Sequence, residues 1–239
     1  MAQWAGVILA AGLGRRLTES GIAIPKPLAP VLGEKTLLDL ASEALYESGV
    51  KDIYCITNSH YFQTIRNHVA GGNFPSIEIL ERNTRSAFHT LMTIQELQGI
   101  QNFIVLNVDS TISSKFILRA VQDFQRTTDT VLVYGYTDDD GADQSPLFIE
   151  VDHETQRVLA LGDNVQRKRF VTSGMYLCSS EVFPIFDEAR RRSIITLRDF
   201  LGFALQRCNV VGTYVPDSVD VDTAADLLRA QTLYGAGQS

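Results

Sequence analysis

The sequence predicts an α/β fold with a doubly wound, mostly parallel sheet and a mixed second half. Three observations carry that reading. Short apolar runs alternate with segments of helical spacing over residues 5–136, the rhythm of β-α-β units. The apolar runs are continuous, as in strands covered by helices on both faces. After Tyr136 the rhythm changes to a polar turn and a hairpin pattern before helices return.

Residues 5–10 (AGVILA) are the first strand, followed by an irregular stretch punctuated by Gly12, Gly14, Gly21, Pro25, Pro27, Pro30 and Gly33. Residues 34–48 read as a helix, with Leu37, Leu38, Leu40, Ala41, Ala44 and Leu45 at helical spacing and Gly49 closing it. Residues 52–57 are a second strand. Residues 61–69 are helical, ending at Gly71-Gly72, and residues 76–80 are a third strand. A helix at 87–97, a strand at 102–108, a helix at 114–126 and a strand at 130–136 complete the first half. Residues 137–145 (TDDDGADQS) are a polar loop, and 147–151 with 157–161 a hairpin. A strand at 170–178, helices near 180–187 and 196–206, a strand at 210–215 and a helix at 222–234 follow. No repeat or low-complexity linker interrupts the chain, so residues 1–239 are expected to form one domain, with halves at 1–136 and 137–239.

Composition narrows the function classes. The 239 residues are 45% hydrophobic and 21% charged, ordinary values for a globular chain. A net charge of -7 repels polyanions, so neither nucleic acid nor an anionic membrane is the expected partner. The apolar run 4–13 is too short to span a bilayer and has no basic head, since Arg15 and Arg16 follow it. The three cysteines (Cys55, Cys178 and Cys208) are far apart, with no C-x-x-C spacing. They read as buried small hydrophobes, and the expected location is the cytoplasm. His60, His68, His89 and His153 are scattered and suggest no zinc site.

The chemistry starts after the first strand. In an open sheet, ligands bind beyond the carboxyl ends of the strands. The loop there reads Leu9-Ala10-Ala11-Gly12-Leu13-Gly14-Arg15-Arg16-Leu17. Glycines let backbone N–H groups approach a phosphate closely. Leu17 occupies the place of the third glycine in a dinucleotide fingerprint, and no P-loop pattern is present. Downstream, Lys26 stands between Pro25 and Pro27, which present it on a stiff extended strut. A pre-positioned ammonium beside a glycine cradle suits a triphosphate.

L-A-A-G-x-G-x-R followed by Pro25-Lys26-Pro27-Leu28 resembles the nucleotidyltransferases that activate sugar phosphates and small alcohol phosphates. The resemblance implies a Rossmann-like, GT-A-like fold with residues 1–136 as the NTP-binding half and 137–239 as the acceptor-binding half. It implies that Leu9, Ala10, Ala11, Gly12 and Gly14 hold the nucleotide, that Arg16 grips the β- and γ-phosphates, and that Lys26 stabilises charge on the α-phosphate.

Asp109 follows the strand at 102–108 and should emerge at the same edge. Hard divalent cations take oxygen ligands and keep substrate phosphate in their shell. Val219-Asp220-Val221-Asp222-Thr223 opens the last helix, where Asp222 is placed to cap and Asp220 is not. The resemblance implies that Asp109 and Asp220 hold Mg²⁺ between them, although Ser218-Val219 stands where the family commonly carries tryptophan. Asn83-Thr84-Arg85-Ser86, followed by Leu91, resembles a nucleotide-site segment of the smaller members, such as phosphocholine and inositol-phosphate cytidylyltransferases. Residues 172–176 (TSGMY) resemble the strand whose glycine, here Gly174, faces the acceptor. Arg167-Lys168-Arg169 offers cations for the acceptor phosphate, with Lys168 and Arg169 singled out. By contrast, Asp138-Asp139-Asp140 reads as a solvated turn and Arg190-Arg191-Arg192 as surface charge at a helix end.

The expected reaction is Mg²⁺-dependent transfer of NMP from an NTP, with CTP favoured, to a small phosphorylated acceptor, with release of pyrophosphate. The alternatives are a hexose-1-phosphate uridylyl- or thymidylyltransferase and a nucleotide-binding regulator without turnover.

Overall fold

The unbroken apolar runs form the centre of one sheet. The structure is a computed structural model that describes residues 3–72, 77–127, 129–143 and 145–236. Its first half runs β1 (Trp4–Ala10), α1 (Arg15–Glu19), β2 (Pro30–Leu32), β3 (Lys35–Thr36), α2 (Leu37–Glu47), β4 (Asp52–Thr57), α3 (Phe62–Gly71) and β5 (Ile77–Glu81). Next come α4 (Ala87–Met92), β6 (Asn102–Asn107), α5 (Ser114–Arg126) and β7 (Thr130–Asp138). The second half holds β8 (Phe148–Val151), β9 (Val158–Leu161), β10 (Phe170–Ser179), α6 (Phe183–Arg191), α7 (Leu197–Leu205), β11 (Asn209–Tyr214) and α8 (Ala224–Ala236).

The main sheet has the order β11-β7-β10-β6-β1-β4-β5. β1 pairs in parallel with β4 and β6, β4 with β5, and β7 with β11. β10 lies antiparallel between β6 and β7, and β8 joins it to carry the β8–β9 hairpin. The sheet is therefore mostly parallel with a mixed second half.

Alternate residues of each strand supply opposite cores. Val7, Leu9, Phe103, Val105, Tyr134 and Tyr176 face a cluster closed by Phe88 of α4, Phe186 of α6 and Phe200 of α7. The rings of Phe88 and Phe200 stack with centroids 4.6 Å apart. On the opposite face, Ile8, Ala10, Ile104, Leu106 and Leu177 pack against Leu45 of α2, Ile65 of α3 and Ile117 of α5. Helices on both faces make the sheet doubly wound.

Several local expectations need correction. The helix expected at 34–48 starts at Leu37, because Thr36 caps it: the Thr36 hydroxyl accepts from Asp39 N, and the Asp39 carboxylate accepts from Thr36 N. The helix expected at 87–97 is α4 followed by a 3₁₀ turn at Thr93–Glu96, and the one at 180–187 starts with a 3₁₀ turn at Ser180–Val182. The irregular stretch after β1 contains α1, a 3₁₀ turn at Lys26–Leu28 and the β2–β3 ribbon. Cys55 and Cys178 are buried as expected, but Cys208 is only half-buried. Ser76 of the expected third strand and Gln144 of the polar loop lie outside the described residues.

A third, smaller core positions the site. Leu17 of α1, Ala29, Val31 and Leu37 bury together with Val219, Val221, Leu227 and Ala230. Leu17 is fully buried, which explains why a leucine rather than a glycine stands there. Burying such a side chain is worth about 1.5–3 kcal/mol, enough to fix the late segment over the loop after β1.

Candidate active site

The loop after β1 is held from the side by the end of β4 and the turn that follows it. Thr57 Oγ1 donates to Ala10 O at 3.4 Å, Asn58 Nδ2 to Ala11 O at 2.8 Å, and Tyr61 Oη to Leu13 O at 3.2 Å. A β-carbon on Gly12 would meet nothing within 4 Å. Gly14 has φ 62° and opens α1 in the left-handed conformation that glycine adopts without steric cost.

Lys26 does not extend on a strut. It opens a 3₁₀ turn in which Leu28 N donates to Pro25 O at 2.8 Å and Ala29 N to Lys26 O at 3.1 Å. These turn bonds prevail over the extended bias that Pro27 imposes on its predecessor. The side chain is buried, with Nζ 2.6 Å from Asp109 Oδ2 and 2.7 Å from Asp222 Oδ1. Arg16 Nη2 reaches the other oxygen of Asp222 at 2.6 Å. Burial works to lower the Lys26 pKa, but the charges of Asp109, Asp222 and Asp220 together outweigh it, so the ammonium is held above its ordinary value.

The two acidic segments are stitched by an antiparallel bridge between Ser110 and Asp220. Thr111 N donates to Val219 O at 3.0 Å and Val221 N to Asp109 O at 2.9 Å. Val219 and Val221 point into the small core, so the extended alternation turns Asp220 and Asp222 the other way. Asp222 does not cap α8. Thr223 Oγ1 accepts from Asp226 N at 3.3 Å, while Asp226 Oδ2 accepts from Thr223 N at 2.9 Å. That reciprocal cap leaves the Asp222 side chain to Lys26 and Arg16.

Asp220 lines the cleft with its surface open to the cavity, yet it is hemmed in by protein. Restricted hydration, followed by the Asp109 charge, raises its carboxyl well above the usual range, against the pull of Lys26. Asp109 Oδ1 is buried with no hydrogen-bond partner. A buried, orphaned carboxylate oxygen beside a second carboxylate is a hard-oxygen donor set, and it fits a divalent cation that completes its shell with substrate phosphate and water. Among the described residues there is no cluster of three or more His, Cys, Asp or Glu side chains that could hold a metal alone.

Two adjoining cavities share Arg16, Asn107 and Asp222 as a common wall. The smaller, about 520 Å³, is lined by Gly12, Gly14, Lys26, Ser86 and Asp109 among others. Leu9 and Ala11 also line it, whereas the Ala10 side chain is buried in the core. The larger, about 730 Å³, is lined by Gly174, Tyr176, Arg198, Asp220 and the end of β7 with the two residues after it, Asp138 to Asp140. Gly174 has φ 74°, and a β-carbon there would lie 2.0 Å from Ser110 Oγ, so only glycine fits.

Asn83, Lys168 and Arg169 lie apart from these walls. Ser86 caps α4 and its hydroxyl bonds the Ile195 carbonyl, but Asn83 is exposed and accepts from Ser59 N and Oγ at 3.0 Å. Lys168 lies over the Phe148 ring at 5.2 Å, and Arg169 pairs with Asp138 at 3.4 Å. Both are exposed and neither lines the larger cavity. Arg198 does line it, and its guanidinium bonds the carbonyls of Ser145 and Pro146. Sequence reading assigns Asn58 and Arg198 no place in the site and marks Asp222 as a helix cap. For Asn58 the available signal was its place one residue beyond β4, at the strand end where ligands gather.

Residues 5–236 match the profile of a family described as nucleotidyl transferase. No curated protein matches the chain closely enough to count as a relative. Among solved structures, the chain is similar to an inositol-1-phosphate CTP transferase from T. maritima, with 14% identity and a TM-score of 0.79, covering 98% of this chain and 97% of that one. It is also similar to a putative glucose-1-phosphate thymidylyltransferase from Bacillus anthracis, with 20% identity and a TM-score of 0.77, over 96% and 94% of the two chains. A UDP-glucose pyrophosphorylase bound to UDP-glucose gives 17% identity and a TM-score of 0.78, over 99% and 100%. At such identities the likeness is one of fold. Among the described residues no helix is long and apolar enough to cross a membrane.

Proposed function

The chain belongs to the nucleotidyl transferase family; from that premise we propose that it is a nucleotidyltransferase of the sugar-phosphate type, which moves NMP from an NTP, CTP by preference, to a small alcohol phosphate or sugar phosphate and releases pyrophosphate. The observation that carries this reading is the convergence of Arg16, Lys26 and Asp109 on one wall of a glycine-lined cavity, with Asp220 in the cavity beside it. The resemblance of the segment from Asn83 to Ser86 to small cytidylyltransferases supports CTP.

A phosphomonoester dianion is a nucleophile at neutral pH, so no residue has to act as general base. Its oxygen attacks the α-phosphorus of the NTP in line, a new P–O bond forms, and the bond to the β-phosphate oxygen breaks with its electron pair leaving on pyrophosphate. The protein contributes position and charge. Backbone from Ala11 to Gly14 binds the phosphates, Lys26 answers the charge developing on the α-phosphate, and Arg16 holds the leaving phosphates. Asp109 and Asp220 are the residues that would hold Mg²⁺. When bound, the ion supplies charge neutralisation between two polyanions. The acceptor occupies the larger cavity, with Gly174 at its floor and Arg198 as a cation on its wall.

The test is pyrophosphate release with Mg²⁺, crossing CTP, UTP, dTTP, GTP and ATP against alcohol phosphates and sugar-1-phosphates. Release that needs one NTP and one acceptor together supports the transferase and names both substrates. Turnover with glucose-1-phosphate and UTP or dTTP alone would replace the proposed pair with the hexose-1-phosphate one.

A further inference from the structure

Asp222 joins the two cations assigned to the triphosphate, and we propose that it is a positioning residue whose carboxylate takes the place of the phosphates until an NTP displaces it. The inference rests on the nucleotidyl-transfer reading and adds to it a residue with its own role.

Three observations carry it. Each oxygen of Asp222 serves a different cation from a different element: Oδ1 lies 2.7 Å from Lys26 Nζ and Oδ2 lies 2.6 Å from Arg16 Nη2. A carboxylate shared this way imitates a phosphate bridging the same groups. Its position is also telling, because Asp222 belongs to the walls of both cavities. Finally, helix capping does not account for it, since Thr223 and Asp226 make that cap between themselves.

The exchange is built to be reversible. Lys26 keeps Asp109 as a second partner, so losing Asp222 does not strand a buried ammonium. Arg16 is 56% exposed at its side chain and can swing to a ligand at little cost. A triphosphate that takes both cations leaves the Asp222 carboxylate facing the incoming polyanion, and that like-charge contact lowers affinity when no divalent ion is present. Asp222 thereby keeps Arg16 and Lys26 ordered in the empty site and weakens the binding of metal-free nucleotide.

The test is calorimetric titration of the full chain with inorganic tripolyphosphate and with CTP, each with EDTA and with Mg²⁺, for wild type, Asp222→Asn, Asp222→Glu and Asp226→Asn. In EDTA, Asp222→Asn is expected to bind tripolyphosphate about tenfold tighter than wild type, the scale of one charge-assisted hydrogen bond no longer competing. Asp222→Glu keeps the charge and should bind as wild type does. Asp226→Asn removes from the same turn a charge that touches neither Arg16 nor Lys26, and should leave the affinity unchanged. In turnover, Asp222→Asn should lower KM for the NTP more than it alters kcat. Equal or weaker tripolyphosphate binding by Asp222→Asn, with an unchanged melting temperature, overturns the displacement. If wild type still releases pyrophosphate, that result leaves the transferase reading standing. Absence of binding for both ligands in every variant, with and without Mg²⁺, overturns both.

Discussion

A β-carbon placed on Gly14 would lie 2.9 Å from the β-carbon of Lys26. The two halves of the motif proposed to bind phosphate are thus closely packed, and the second is seated on the first. The contacting atom is the root of the lysine side chain and cannot rotate away. Gly14→Ala should therefore act at two levels. The left-handed conformation costs a residue with a β-carbon about 1–2 kcal/mol, or about 2–8 °C in melting temperature for a chain of this size. Displacement of Lys26 should lower kcat/KM by about 10²-fold, as a misplacement of about 1 Å does. Calorimetry and steady-state kinetics on the variant read the two effects separately.

Lys26→Ala and Asp109→Ala are each expected to lose about 10²–10⁴ in rate, the cost of removing one charge-stabilising group. Turnover at the wild-type rate in either variant removes that residue from the mechanism. The two differ in metal response: added Mg²⁺ should raise the melting temperature of Lys26→Ala but not of Asp109→Ala, which differential scanning fluorimetry resolves.

Asp220 gives the metal-free protein a pH dependence of definite sign. In the unfolded chain an aspartate ionises near pH 4, whereas in the folded chain restricted hydration and the neighbouring Asp109 hold the proton to higher pH. Between those two values the folded state binds the extra proton, so stability falls as pH rises and stays reduced above the folded value. Asp220→Asn should remove that penalty. In EDTA at about pH 7 the variant should melt above wild type, which differential scanning fluorimetry reads. Below about pH 4 the two melting temperatures should converge.

The cysteines should be inert in the folded protein. Burial pushes Cys55 and Cys178 up to about 12 and Cys208 up to about 11, and the thiolate is the nucleophile. Ellman's reagent at about pH 8 should label the native chain slowly. In concentrated guanidinium chloride all three thiols should react.

The parts of the fold and site that were legible in the sequence are those that local pattern controls. Val7, Ile8 and Leu9 announce a central strand because both faces of it are covered. Arg16, Lys26 and Asp109, which the structure brings together, stood out as candidates because a glycine turn, a proline pair and a strand end each mark a place in chain order. The direction of β10 was not legible, since an apolar run such as residues 174–178 reads the same in either orientation. Asp222 was misassigned because capping preference depends on neighbours: Thr223 with Asp226 three residues on makes the better cap. Asn58 and Arg198 act through carbonyls distant in sequence, and spacing carries no trace of such contacts.

The bridge between Ser110 and Asp220 bears on how the protein comes into being. Thr111 and Val219, hydrogen-bonded beside it, are 108 positions apart in the chain. On the ribosome the N-terminal segments emerge first, so the glycine turn and Lys26 are made long before the second acidic segment leaves the exit tunnel. Until Val219 and Val221 dock beneath Leu17, the nascent polypeptide has no complete pair of carboxylates and no Asp222 to hold Lys26 and Arg16. On the proposed assignment of the site, catalytic competence is therefore withheld from every nascent chain that lacks the late segment.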